Sequence, residues 1–82
     1  MDFPDERTPT MTPAQCRAAR ALIEMSLNHL AAAAVVPPAI VWDLEAGVSA
    51  PSEANLHALR QVLEKGGVEF IDGDRPGVRL RK

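Results

Sequence analysis

Cysteines, aromatic residues and long apolar runs are all scarce in this sequence of 82 residues. The single cysteine, Cys16, excludes an internal disulfide, and with His29 and His57 it does not form a spaced set of metal ligands. The longest uncharged stretch, residues 25 to 42, contains two prolines and falls short of the roughly 20 apolar residues of a bilayer span. No secretory signal is visible at the N-terminus. We therefore expect a cytoplasmic protein without a membrane segment, metal or cofactor.

Catalytic patterns are also missing. No serine has a neighbouring base, so no activated nucleophile is indicated. Asp43 and Glu45 lie on different sides of one predicted helix, so they do not form a pair of carboxylates for acid and base catalysis. We expect a protein that is not an enzyme.

Positive charge is absent from the middle of the chain. Residues 21 to 59 contain four acidic residues and no lysine or arginine, within a chain of net charge −2. The last eight residues contain no acidic residue and four basic ones, which are Arg75, Arg79, Arg81 and Lys82. A polyanion would therefore be attracted to the C-terminus.

Alanine and leucine are abundant, with thirteen and eight residues, and both favour helices. The length allows one small domain with one core. A capping box at residues 12 to 15 predicts the start of a first helix. The periodicity of this helix places Cys16 in the core and Arg17 and Arg20 on the opposite, exposed face.

Three further helices and a hairpin are predicted after the first helix. Ser26 caps a short second helix, which must break before Pro37, and a third helix spans residues 38 to 46 ahead of Gly47. Ser52 caps a fourth and longest helix, which ends at two glycines. Two alternating segments around a turn then predict a C-terminal β-hairpin, which must pack on the helices or pair with a second chain.

Two short helices joined by a tight break are typical of a helix-turn-helix module. The segments MTPAQCRAARALI, DLEAG and GVEFIDGDRPGVRLRK resemble the small bacterial regulators of the xenobiotic-response-element family. The resemblance covers residues 11 to 82. It implies a mainly α, lambda-repressor-like bundle of four to five short helices with a C-terminal β-hairpin. It also implies a homodimer that places its third helix in the major groove of duplex DNA.

Two prolines and no apolar periodicity predict a flexible N-terminal arm at residues 1 to 11. A helix-turn-helix domain at residues 12 to 67 and a hairpin with a basic tail at residues 68 to 82 follow it. Candidate DNA contacts lie on the first three predicted helices, just after the third helix, and in the tail. They are Arg17, Arg20, Asn28, Pro38, Ala39, Trp42, Ser49, Arg75, Arg79, Arg81 and Lys82.

The predicted reading helix departs from the polar pattern of the family. Its proline, alanine, isoleucine and tryptophan side chains do not offer the paired donors that read base edges. An alternative function is therefore binding of a protein, such as another transcription regulator, through an apolar face. The residues of that face are Leu27, Pro38, Ile40 and Trp42. Trp42 either contacts such a partner or folds back to fill a local gap.

Overall fold

The computed structural model describes residues 11 to 81, which form four helices followed by a two-stranded antiparallel sheet. This order confirms the mainly helical class with a C-terminal hairpin. The elements are α1 (Pro13–Leu22), α2 (Leu27–Ala34), α3 (Pro38–Ala46), α4 (Glu53–Lys65), β1 (Val68–Ile71) and β2 (Gly77–Leu80). No described helix is long and apolar enough to cross a membrane.

The helices begin where their capping residues predict. The Thr12 hydroxyl accepts a hydrogen bond from the backbone N–H of Gln15 at 3.0 Å, and the Gln15 side chain accepts one from the backbone N–H of Thr12 at 2.9 Å. Ser26 and Ser52 each accept a hydrogen bond from the third residue of their helix. These contacts satisfy backbone donors that a helix leaves unpaired in its first turn.

The break between α2 and α3 combines one left-handed residue with two prolines. Val35 ends α2 with φ 57° and ψ 49°, and Pro37 precedes the first helical residue, Pro38. Gly47 ends α3 in the left-handed region, as the sequence predicts. The chain therefore turns sharply between two helices that pack on each other.

The core lies between the helices and one face of the hairpin. Helix α2 packs on α3 and α4, while α1 packs on α3 and β2, and α4 packs on β1. The predicted arm lies outside the described residues except for Met11, which is buried and forms part of the core. The buried apolar residues are Met11, Cys16, Ala19, Leu30, Ala31, Val36, Val41, Leu44, Leu59, Leu63, Val68 and Phe70.

Two polar side chains on the helices contact the hairpin. The Gln15 amide nitrogen donates hydrogen bonds to the carbonyls of Ile71 and Gly77, both at 3.0 Å, at the turn end of the strands. The Arg60 guanidinium of α4 lies 4.6 Å from the centre of the Phe70 ring. These contacts make the hairpin part of the folded domain. Such contacts are needed because an isolated two-stranded hairpin is only marginally stable.

Candidate functional site

The outward side of α3 is an apolar stripe open to solvent. Pro38, Ala39, Trp42 and Ala46 are all exposed, at positions that follow one side of a helix, while Val41 and Leu44 point into the core. We call these four exposed residues the α3 face. Trp42 is 63% exposed. It does not fill a local gap, so that interpretation of Trp42 is wrong.

Two exposed valines flank the α3 face along the chain. Val35 precedes α3 and is 89% exposed, and Val48 follows α3 and is 72% exposed. The backbone N–H of Val48 donates to the carbonyl of Asp43 at 2.9 Å, which folds this valine back against the end of the helix. Val35 lies in a left-handed conformation that is unfavourable for a β-branched residue.

The predicted apolar face differs from the observed one. Leu27 and Ile40 are partly buried and pack against the core, so only Pro38 and Trp42 of that predicted set are exposed. Leu27 lies in the first turn of α2, on the side that meets its helical neighbours. Sequence reasoning missed Val35 and Val48, which lie just beyond the last residues of α2 and α3.

Two polar residues among the candidate DNA contacts are also exposed. Asn28 in the first turn of α2 and Ser49 beyond α3 are both exposed. The backbone N–H of Ser49 donates to the carbonyl of Asp43 at 3.3 Å. The side chains of Asn28 and Ser49 are therefore accessible to a DNA or a protein ligand.

A buried carboxylate fixes α3 to α1. Glu45 is only 7% exposed, and the Arg20 guanidinium binds its two oxygens with two hydrogen bonds of 2.7 Å. The Cys16 thiol donates to the same carboxylate at 3.0 Å. Arg17 donates to the backbone carbonyl of Glu45 near the C-terminal end of α3. Three side chains of α1 therefore hold one residue of α3.

The electrostatics of this cluster favour a structural role. Burial acts to raise the pKa of the Glu45 carboxyl, but the hydrogen bonds from Arg20 and Cys16 outweigh it and hold the pKa below its ordinary value. Burial raises the pKa of the Cys16 thiol, and the adjacent carboxylate raises it further. A protonated, buried thiol is a poor nucleophile, which agrees with the prediction that Cys16 is a core residue.

The positions of the two α1 arginines correct the sequence interpretation. Arg20 was expected on the exposed side of α1, but its guanidinium is occupied by Glu45. Arg20 lies four residues after Cys16, and residues with this spacing share a helix face. Arg17 is exposed, yet its guanidinium also bonds to Glu45. The charge of Arg20 is therefore paired with a carboxylate, whereas Arg17 donates to a neutral backbone carbonyl.

The C-terminal arginines lie among acidic residues. Arg79 pairs with Glu69 across the hairpin at 3.0 Å, and Arg81 donates to the backbone carbonyl of Glu64. Arg75 is exposed in the turn, and Lys82 lies outside the described residues. Residues 68 to 81 contain three acidic residues and three arginines, so their formal charge is zero. Strand pairing therefore weakens the positive field that the last eight residues alone suggest.

The chemistry of the α3 face is that of a recognition surface for apolar groups. Its only side-chain hydrogen-bond donor is the indole N–H of Trp42. Within residues 11 to 81, no three histidine, cysteine, aspartate or glutamate side chains come together in a way that could hold a metal ion.

Comparison of the chain with protein-family models and with curated proteins gives no match.

Proposed function

We propose that the chain is a helix-turn-helix transcription regulator of the lambda-repressor class and that it binds duplex DNA as a homodimer. One observation carries the proposal: α2 and α3 pack together across a sharp three-residue break, and one whole side of α3 is left open. An exposed second helix after a tight break supports this proposal, because helix-turn-helix proteins insert such a helix into the major groove. The resemblance to the xenobiotic-response-element family adds support.

The charges predict weak and unusual DNA binding. Arg20 and Arg79 are paired with carboxylates. The charges best placed to meet phosphates are therefore those of Arg17 and Arg81, which donate to neutral backbone carbonyls, and of the exposed Arg75. With about two to four phosphates neutralised per monomer, log K should fall with log salt with a slope of roughly −2 to −4 per monomer.

Fluorescence anisotropy with labelled DNA from upstream of the protein's own gene tests this function. We expect specific binding with the shallow salt dependence given above, and an unrelated duplex of equal length serves as the control. A variant with Arg75→Gln and Arg81→Gln should bind less tightly than any variant of the α3 face. Equal affinity for both duplexes would contradict specific regulation, and an unaffected double variant would contradict the contact surface.

A second candidate function is binding and antagonism of another regulator. The specific observation that favours it is the exposure of Trp42, an aromatic residue of the kind that dominates protein interfaces, on a helix without base-reading donors. This function predicts that Trp42→Ala weakens binding of a protein partner and leaves DNA binding unchanged. The affinities of Trp42→Ala for duplex DNA and for a protein partner therefore distinguish the two functions.

A further inference from the structure

The outer edge of β2 carries backbone groups that point away from β1. Hydrogen-bonded and non-hydrogen-bonded residue pairs alternate along two antiparallel strands. The backbone N–H of Arg81 donates to the carbonyl of Gly67 at 2.7 Å, in continuation of the register of the hairpin. The next pair, Leu80 with Val68, is therefore non-hydrogen-bonded, and so is the pair that contains Val78. The N–H and C=O groups of Val78 and Leu80 thus face outward from the hairpin.

These four groups of β2 have no partner elsewhere in the described chain. Among residues 11 to 81, no hydrogen bond from a helix, a loop or a side chain reaches the backbone of Val78 or Leu80. The edge of β1 differs, because Val68 and Phe70 are buried and α4 packs on that strand. An unpaired strand edge is a template for pairing with another chain. The open edge of this sheet is therefore that of β2.

The side chain of Leu80 is exposed although it lies on the face of the sheet that packs on the helices. Residues directly opposite each other in a sheet share a face, and Leu80 lies opposite the fully buried Val68. Leu80 is nevertheless 46% exposed. The apolar layer beneath the hairpin is thus closed under β1 and open at β2. A strand added to this edge would continue the layer and cover Leu80.

A second copy of β2 matches this edge. If two β2 strands pair antiparallel about a two-fold axis at Arg79, Val78 of each copy lies opposite Leu80 of the other, and each such pair exchanges two hydrogen bonds. An axis at Val78 would instead place Pro76 opposite Leu80, and proline has no N–H to donate. Within residues 11 to 81, only the axis at Arg79 pairs all four outward groups of each copy.

The charges of the hairpin also match a second copy. Arg79 lies on the outer face, and its guanidinium pairs with Glu69 of the same chain at 3.0 Å. At the axis, the two arginines of a dimer are flanked by two glutamates, so this row of four side chains carries no net charge. Residues 68 to 81 have a formal charge of zero. A neutral edge gives a strongly acidic or basic partner no advantage, whereas two neutral copies do not repel each other.

We propose that the protein dimerises through β2, with Val78 of each copy hydrogen-bonded to Leu80 of the other in a four-stranded antiparallel sheet. Helix α3 packs on α1 and α2, whereas the hairpin packs on α1 and α4, so the contact does not use the α3 face. The inference rests on the homodimer of the proposed function and specifies where its two copies meet. Its test needs no DNA, so it can fail or succeed independently of DNA binding.

A cysteine at the two-fold axis tests the register with the full chain. In the proposed dimer the Cα atoms of the two Arg79 residues lie about 4.5 Å apart, within the range of a disulfide. Arg79→Cys should therefore form a covalent dimer in an oxidising glutathione buffer, which non-reducing electrophoresis detects. Glu69→Cys is the matched control, because it removes the same ion pair but lies about 14 Å from its counterpart, three strand spacings away. Cys16 is buried in both variants.

Sedimentation equilibrium of the free protein measures the strength of the contact. Leu80→Pro removes an N–H that makes no bond within the chain, and it should raise the dimer dissociation constant at least about tenfold because two bonds between the copies are lost. Leu80→Lys should weaken the dimer by a similar factor, because it places a charge in the apolar contact. Ile71→Lys is the control, since Ile71 is also exposed but lies on the outer face beside the turn. Circular dichroism shows whether each variant is folded.

Three results overturn the proposal. They are a wild-type protein that stays monomeric at concentrations on the order of hundreds of micromolar, a dimer that neither Leu80 variant weakens, and crosslinking of Arg79→Cys that is no faster than that of Glu69→Cys. A dimer that persists in both Leu80 variants would show that the copies meet elsewhere, so it would overturn this contact and leave the homodimer intact. A β2 dimer without preference for its own upstream DNA would contradict the DNA-binding function and support this inference.

Discussion

Removal of the Glu45 carboxylate tests how much the contacts between α3 and α1 contribute to the free energy of unfolding. Glu45→Ala would leave the Arg20 guanidinium, which is 21% exposed, without its counter-charge, and the Cys16 thiol without its acceptor. Loss of one partner of a buried ion pair costs about 3 to 5 kcal/mol. Because solvent reaches part of Arg20, we expect a loss near the lower end, about 3 kcal/mol.

This loss is large for a domain of this size. A chain of 82 residues has a total stability of about 4 to 12 kcal/mol. One kcal/mol corresponds to about 4 to 8 °C in melting temperature for such domains, so Glu45→Ala should lower the melting temperature by about 12 to 24 °C. Thermal and urea unfolding followed by circular dichroism give the two values independently.

A matched variant and a double-mutant cycle make the test specific. Glu69→Ala removes an exposed carboxylate that also pairs with an arginine, and it should leave the melting temperature almost unchanged. Arg20→Met combined with Glu45→Ala should cost less than the sum of the two single changes, because the unpaired charge is then absent. If Glu45→Ala melts within about 2 °C of the wild type, the reasoning is refuted.

Four other measurements follow from the same structure. The pKa of Glu45 is lowered in the folded state, so its stabilisation is complete above the unfolded glutamate pKa of about 4.3 and is lost as pH falls through the folded value. The free energy of unfolding measured with urea should therefore decrease in acid in the wild type, and less steeply in Glu45→Gln. Val35→Gly should raise the free energy of unfolding by about 1 kcal/mol, and any loss of stability would contradict the strain at this residue. Trp42→Ala should change stability by less than about 1 kcal/mol, and free Trp42 should emit at long wavelength and be quenched by iodide. Cys16 should react with iodoacetamide only at the rate of unfolding, so fast reaction of the folded protein would contradict its burial and raised pKa.

Local chemical signals predicted most of the secondary structure. Thr12, Ser26 and Ser52 start helices because each hydroxyl satisfies a backbone donor nearby in sequence. Gly47 ends α3 because the required left-handed conformation favours glycine. Such contacts involve residues only a few positions apart, so they can be inferred without the tertiary structure.

The candidate site was predicted less well because its important contacts join distant residues. Arg20 looks like an exposed charge until α3 brings Glu45 to it from 25 positions away. Leu27 and Ile40 look equivalent to Trp42 in hydrophobicity, and only the packing of the helices separates the buried pair from the exposed tryptophan. The conformation of Val35 was also hidden, because valine gives no signal for a left-handed residue.

The two hydrogen bonds from the Gln15 amide also constrain the order of folding. They join positions 56 and 62 residues apart, so they can form only after a long loop has closed. During synthesis the acceptor on β2 is made after all four described helices, while the donor belongs to the first turn of α1. The Gln15 side chain of α1 therefore completes its hydrogen bonds only after β2 has been synthesised. Amide hydrogens in both strands should accordingly exchange with solvent together with those of the first turn of α1, as one cooperative unit.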